Sequence, residues 1–88
     1  MTEIRFRYCK NLESVNLSGC SVLKEIGQYA FKGCIEAVVK LPVSITEIEV
    51  WAFGRDESDY CKEVHVPNET IKGLVKNAYY PEGRIKMY

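Results

Sequence analysis

The chain carries no surplus of either charge. Twelve Lys and Arg balance twelve Asp and Glu over 88 residues. A general nucleic-acid binder concentrates basic residues on one face, so this balance argues against that class. Histidine is nearly missing, with His65 alone. The four cysteines never fall two to four residues apart, the pairing that zinc sites use. No metal and no cofactor is therefore expected. No run approaches the roughly 18 consecutive apolar residues of a membrane span, and no membrane insertion is expected. The first eight residues, Met1 to Tyr8, hold neither an apolar signal core nor a small-residue cleavage site. Either the protein stays in the cytoplasm or Met1 is a start inside a longer exported chain, and the repeats below favour the second. What is abundant is ordinary for a globular domain, with 47% hydrophobic and 27% charged residues. A chain of this length is one domain at most and buries roughly 60–65% of its unfolded surface.

Internal repetition is the dominant signal. Thr2-Glu3-Ile4, Lys24-Glu25-Ile26 and Thr46-Glu47-Ile48 are spaced by 22 residues, and Tyr29-Ala30-Phe31 and Trp51-Ala52-Phe53 keep the same interval. A second series lies between them: Leu12-x-x-Val15-x-Leu17, then Val39-x-Leu41-Pro42, then Val64-x-Val66-Pro67. Each is an apolar-x-apolar unit with the period of a half-buried strand. The prolines end their strands because they cannot donate to the next ladder bond. Two ladders of parallel strands in a solenoid are the simplest object with both series, since one repeat cannot bury its own apolar residues and a stack can. The predicted column holds Ile4, Leu12, Val15, Leu17, Leu23, Ile26, Phe31, Val39, Leu41, Ile45, Ile48, Phe53, Val64 and Val66.

Cys9, Cys20 and Cys34 each fall at a corner between repeats. A thiol there is a small hydrophobe with a weak donor, so core-facing thiols are expected in preference to disulfides. After Phe53 the period breaks, and Gly54-Arg55-Asp56-Glu57-Ser58-Asp59-Tyr60 reads as an extended, solvated acidic loop. Its carboxylate spacing does not fit a calcium-binding EF-hand loop. Asn68 is suited to N-cap a helix with Glu69 in its first turn. Ile71, Leu74, Val75 and Ala78 then follow at helical spacing. Gly73 inside the stripe keeps that helix short. Pro81 and Gly83 terminate it, and Arg84 to Tyr88 reads as a closing strand. Residues 1–67 thus form repeats and residues 68–88 a cap, within one domain.

Cys9-x-x-Leu12-x-x-Val15-x-Leu17, followed by Leu23-x-x-Ile26-Gly27-x-Tyr29-Ala30-Phe31-x-x-Cys34, resembles the BspA-like leucine-rich repeat, also called the Treponema pallidum type. The stretch from Leu41 to Phe53 matches the second half of that pattern, and Val64 to Met87 resembles the family's C-terminal segment. Residues 35–39 carry one residue more than the pattern, and no second Ile-x-x-x-Ala-Phe unit follows Phe53. The resemblance implies a mostly β, right-handed leucine-rich-repeat solenoid of about three coils with a short helical cap. It also implies a non-catalytic protein-interaction or adhesion module of a surface-exposed or secreted bacterial protein.

The residues themselves give little support to catalysis. His65 lies between Val64 and Val66 and should point outward, away from any nucleophile. Gly19, Gly27, Gly33, Gly54, Gly73 and Gly83 form no phosphate-loop pattern. The expected binding surface is the outward row of the strand ladder, Asn16, Lys40 and His65, with Ser14, Val38 and Glu63 beside it. Its mixed polarity suits a protein (host or extracellular matrix) or a glycan. Tyr29 and Trp51 hold equivalent positions and read either as an exposed aromatic anchor or as cover for the core edge. Glu3, Glu25 and Glu47 share one register; they either splay into water or line a cation. Two further functional readings stay open: a structural cap of a longer repeat array, and an intracellular scaffold. The uncapped N-terminal coil suggests a homodimer formed through it.

Overall fold

A computed structural model describes residues 9–88. The Thr2-Glu3-Ile4 unit lies outside them. So do Arg5 and the N-terminal face proposed for dimerisation.

Each apolar-x-apolar unit forms a short strand, and the strands stack in parallel. β1 (Ser14–Asn16), β3 (Val38–Lys40) and β5 (Glu63–Val66) pair in sequence order, and β6 (Ile85–Met87) adds to β5. Val15, Val39, Val64 and Ile85 share one inward register. On the far side of each repeat, β2 (Glu25–Ile26) pairs in parallel with β4 (Glu47–Ile48). Parallel strands separated by whole repeats make this a repeat solenoid.

The predicted column is present. Leu23, Ile26, Phe31, Val39, Leu41, Ile45, Phe53, Val64 and Val66 are buried. Leu12, Val15, Leu17 and Ile48 pack against this core but are only partly buried. For the first three the reason is position, because β1 is an edge strand of its sheet among the described residues. Phe31 and Phe53 lie nearly parallel, with ring centroids 5.6 Å apart, and Tyr80 meets Phe53 edge-on at 5.7 Å. Such pairs add about 0.5–1.5 kcal/mol each beyond area burial.

All four cysteines are thiols. Cys34 and Cys61 are buried and Cys9 is partly buried, as a core-facing column requires. Cys20 is exposed, contrary to expectation. It does not belong to the same column. Cys9, Cys34 and Cys61 precede their strands, whereas Cys20 follows β1 and shares its corner with Ser44, whose hydroxyl donates to the Cys20 carbonyl at 2.9 Å.

The segment after Phe53 is also not extended. It folds into a compact turn stitched by its own carboxylates. Asp59 Oδ1 accepts the N–H groups of Arg55 and Asp56 at 2.6 and 3.0 Å. Asp56 Oδ1 accepts the N–H and hydroxyl of Ser58 at 3.0 and 2.6 Å. Those two bonds hold the Asp56 carboxyl below its ordinary range. The predicted acidic loop is therefore spent on its own backbone, a use of Asp that turn chemistry favours.

The chain then closes as predicted from its caps. Asn68 Oδ1 accepts the Ile71 N–H at 2.9 Å and starts α1 (Glu69–Asn77). Ile71 and Val75 turn inward, and the helix packs against β4, β5 and β6. A single 3₁₀ turn, Glu82–Arg84, leads into β6. Tyr88 is tied back by its N–H to the Val66 carbonyl at 3.0 Å and by its hydroxyl to the Leu41 carbonyl.

Candidate binding surfaces

The five candidate residues fall into two separate rows. Strand pairing brings Asn16, Lys40 and His65 into one register on the outward side of the four-stranded sheet. Tyr29 and Trp51 lie elsewhere, at the turns that follow β2 and β4.

The sheet row is longer than expected, because His65 pairs in register with Lys86 of β6. Lys86 was hidden in the sequence by its place in the cap, although Ile85-x-Met87 repeats the apolar-x-apolar signature. The row is polar and pre-arranged. Asn16 Oδ1 accepts the Ser18 N–H at 3.0 Å and the Ser18 hydroxyl at 2.6 Å. Lys40 Nζ lies 4.4 Å from the centre of the Tyr88 ring, a cation–π distance. His65 Nε2 is 2.9 Å from Glu63 Oε1. That hydrogen bond, with the nearby charges of Lys86 and Lys62, holds the Glu63 carboxyl below its ordinary range. His65 points outward as expected, and its partner is the Glu63 carboxylate.

Among the described residues the aromatic row has three members. Tyr29 and Trp51 lie 6.0 Å apart between ring centroids with planes 10° from parallel. Tyr79 continues the row 6.5 Å beyond Trp51. All three sit in the left-handed region, at φ 63°, 62° and 67°. At Tyr29 and Trp51 the turn is the same and swings Ala30-Phe31 and Ala52-Phe53 into the core, whereas Tyr79 follows Ala78, the C-cap of α1, and precedes the buried Tyr80. The end of α1 meets this row through the Ala78 carbonyl, which accepts the Trp51 N–H at 3.0 Å. Sequence spacing missed Tyr79 because it follows α1, outside the 22-residue interval, and no Ala-Phe pair comes after it. Arg55 lies 4.6 Å over Trp51 and Lys32 5.0 Å over Tyr29. Tyr29 and Trp51 are partly buried and Tyr79 is exposed, so the row both covers the core edge and faces solvent.

Glu25 and Glu47 are in register, and Glu3 lies outside the described residues. No group of three or more potential metal ligands occurs among the described residues. No described helix is long and apolar enough to cross a membrane.

The family model for the BspA type leucine rich repeat region matches residues 2–87, in six copies. No curated protein and no solved structure matches the chain.

Proposed function

The chain belongs to the BspA-type leucine-rich repeat family, a family of generally non-catalytic protein-interaction repeats, and from that premise we propose that it binds a protein partner through the outward face of its four-stranded sheet. The carrying observation is the register of Asn16, Lys40, His65 and Lys86 across four consecutive strands. A rigid sheet fixes these side chains before any partner arrives, which lowers the ordering cost of binding. Tyr88, fastened over Lys40, adds an aromatic of the kind enriched in binding hot spots. The architecture we infer is a right-handed solenoid of about three coils, residues 1–67, closed by residues 68–88. The setting we infer is adhesion to a host or matrix protein from a cell surface or in secreted form, as members of this family commonly occupy.

The test is surface-based binding of the purified chain to a panel of matrix proteins. The expected result is saturable binding to at least one, weakened about fivefold or more by Lys40→Ala or His65→Ala. Absence of binding by a folded sample, or binding that ignores both substitutions, overturns the sheet-face reading.

A second reading is favoured by the C-terminal segment. β6 extends one ladder and α1 packs beside the last strand of the other, so the segment shields both ladders. In that reading these repeats cap a longer array and the contact surface lies upstream. Removing residues 60–88 from a longer folded chain separates the two: binding that survives assigns this segment to capping.

A further inference from the structure

We propose that a second copy of this chain docks on the sheet face, and that it does so through its β2–β4 ladder. The inference rests on the reading of the sheet face as a contact surface and names an occupant for it.

The two ladders carry opposite charge. On the four-stranded sheet, Lys40, His65 and Lys86 stand in one register across β3, β5 and β6. The carboxylate beside them, Glu63, is engaged by His65 at 2.9 Å. On the far ladder Glu25 and Glu47 are in register, and Glu49, two residues on, is exposed like Glu47. Among the described residues no ion pair reaches Lys40, Lys86, Glu25, Glu47 or Glu49. Like charges in register on adjacent strands destabilise a ladder unless opposite charge relieves them. Nothing within the described chain relieves Glu25 and Glu47 in that way; the row of a neighbouring copy would.

The pitch also matches. Both ladders are cut from the same coils, so both rows advance by one parallel-strand spacing, roughly 4.8 Å. Glu25 and Glu47 are one step apart, and Lys40 and Lys86 two steps. A copy laid alongside with its coils parallel therefore presents carboxylates at the repeat of the cations. The net charge of zero leaves no overall repulsion between copies.

The two faces differ, so the contact is heterologous and does not close on itself. Copies add side by side. Both strips are narrow, built on strands of two to four residues. The association is therefore weak, electrostatic and concentration-dependent.

The experiment is sedimentation equilibrium of the full chain over a concentration series. At about 0.5 mM chain and about 20 mM salt, the weight-average mass should exceed the 10.1 kDa of one chain by about 1.5-fold or more. At about 0.5 M salt it should return to the monomer value. Lys40→Glu with Lys86→Glu makes both ladders acidic, and Glu47→Lys with Glu49→Lys makes both basic; each pair should abolish association. All four changes together exchange the two faces at unchanged net charge and should restore it. Lys72→Glu with Lys76→Glu, on α1, carries the net charge of the first pair and should leave association in place. Circular dichroism checks that each variant is folded. If Lys40→Glu disturbs the fold through Tyr88, Lys86→Glu alone carries the test, since Lys86 is exposed. A chain that stays monomeric at low salt overturns the proposal, even where a matrix protein still binds the sheet face. Association that survives high salt or either charge reversal, or that the fourfold exchange fails to restore, overturns it too. Loss of association in the α1 control assigns the effect to net charge and overturns it as well.

Discussion

Gly54→Ala should remove much of this protein's stability. Gly54 has φ 128°, outside the conformations open to L-residues with a side chain. A Cβ there would lie 2.6 Å from Tyr60 Cα, 2.7 Å from the Asp59 carbonyl oxygen and 2.8 Å from Tyr60 N. Every one of these atoms is backbone, so no rotamer change relieves the contact. The backbone is also pinned. Gly33 donates to the Asp59 carbonyl at 2.8 Å, and Cys61 donates to the Phe53 carbonyl at 3.0 Å. Conformational strain costs about 1–3 kcal/mol, and forcing the tight packing apart costs about 1–3 kcal/mol more. The sum, about 2–6 kcal/mol, compares with about 4–13 kcal/mol for a whole domain of this length at ~0.05–0.15 kcal/mol per residue. Each kcal/mol lowers the thermal midpoint by roughly 4–8 °C at this size. The assay is urea unfolding, followed by Trp51 emission and by circular dichroism. Gly73→Ala is the matched control: a Cβ at Gly73 meets nothing within 4 Å, and the residue sits inside α1. There the same substitution should stabilise by about 0.5–1 kcal/mol. A loss at Gly54 below about 1 kcal/mol, with an unchanged denaturant slope, would refute the reasoning.

Other expected outcomes concern the cap and the thiols. Asn68→Ala orphans the Ile71 N–H and should cost about 1 kcal/mol in urea unfolding, with loss of helical signal. Tyr80→Phe removes the 2.7 Å hydrogen bond to the Cys61 carbonyl. Because Arg84 Nη1 still reaches that oxygen at 3.3 Å, the thermal loss should be near the low end, about 1–2 kcal/mol. Burial pushes the Cys61 thiol from 9.0 up to about 12. The folded chain therefore holds this proton more tightly than the unfolded chain. That contribution is full below pH 9.0 and is lost as pH rises toward 12. Thermal midpoints should fall across that window, with a shallower slope in Cys61→Ala. At about pH 8, a thiol-alkylating reagent should modify Cys20 promptly and Cys61 only after unfolding, read by mass spectrometry.

The sequence alone determined the repeat, because the physical cause of each repeat feature is local. A Val-x-Leu unit has the period of a strand, Ala-Phe has the polarity of a core residue pair, and Asn68 followed by Glu69 has the chemistry of a helix start. It also determined the outward placement of Asn16, Lys40 and His65, since alternation along a strand sets which face a side chain takes. Only the tertiary structure decided the rest, where the cause is a neighbour distant in sequence. Lys86 joined the sheet row because β6 paired with β5. Tyr79 joined the aromatic row because α1 brought its own end against Trp51. Cys20 separated from the other thiols because its corner follows a strand where theirs precede one. The segment after Phe53 closed on itself because Asp56 and Asp59 found their own backbone before water. Periodicity is written in single residues, but which repeats touch, and which side chains they bring together, follows from packing that no one segment contains.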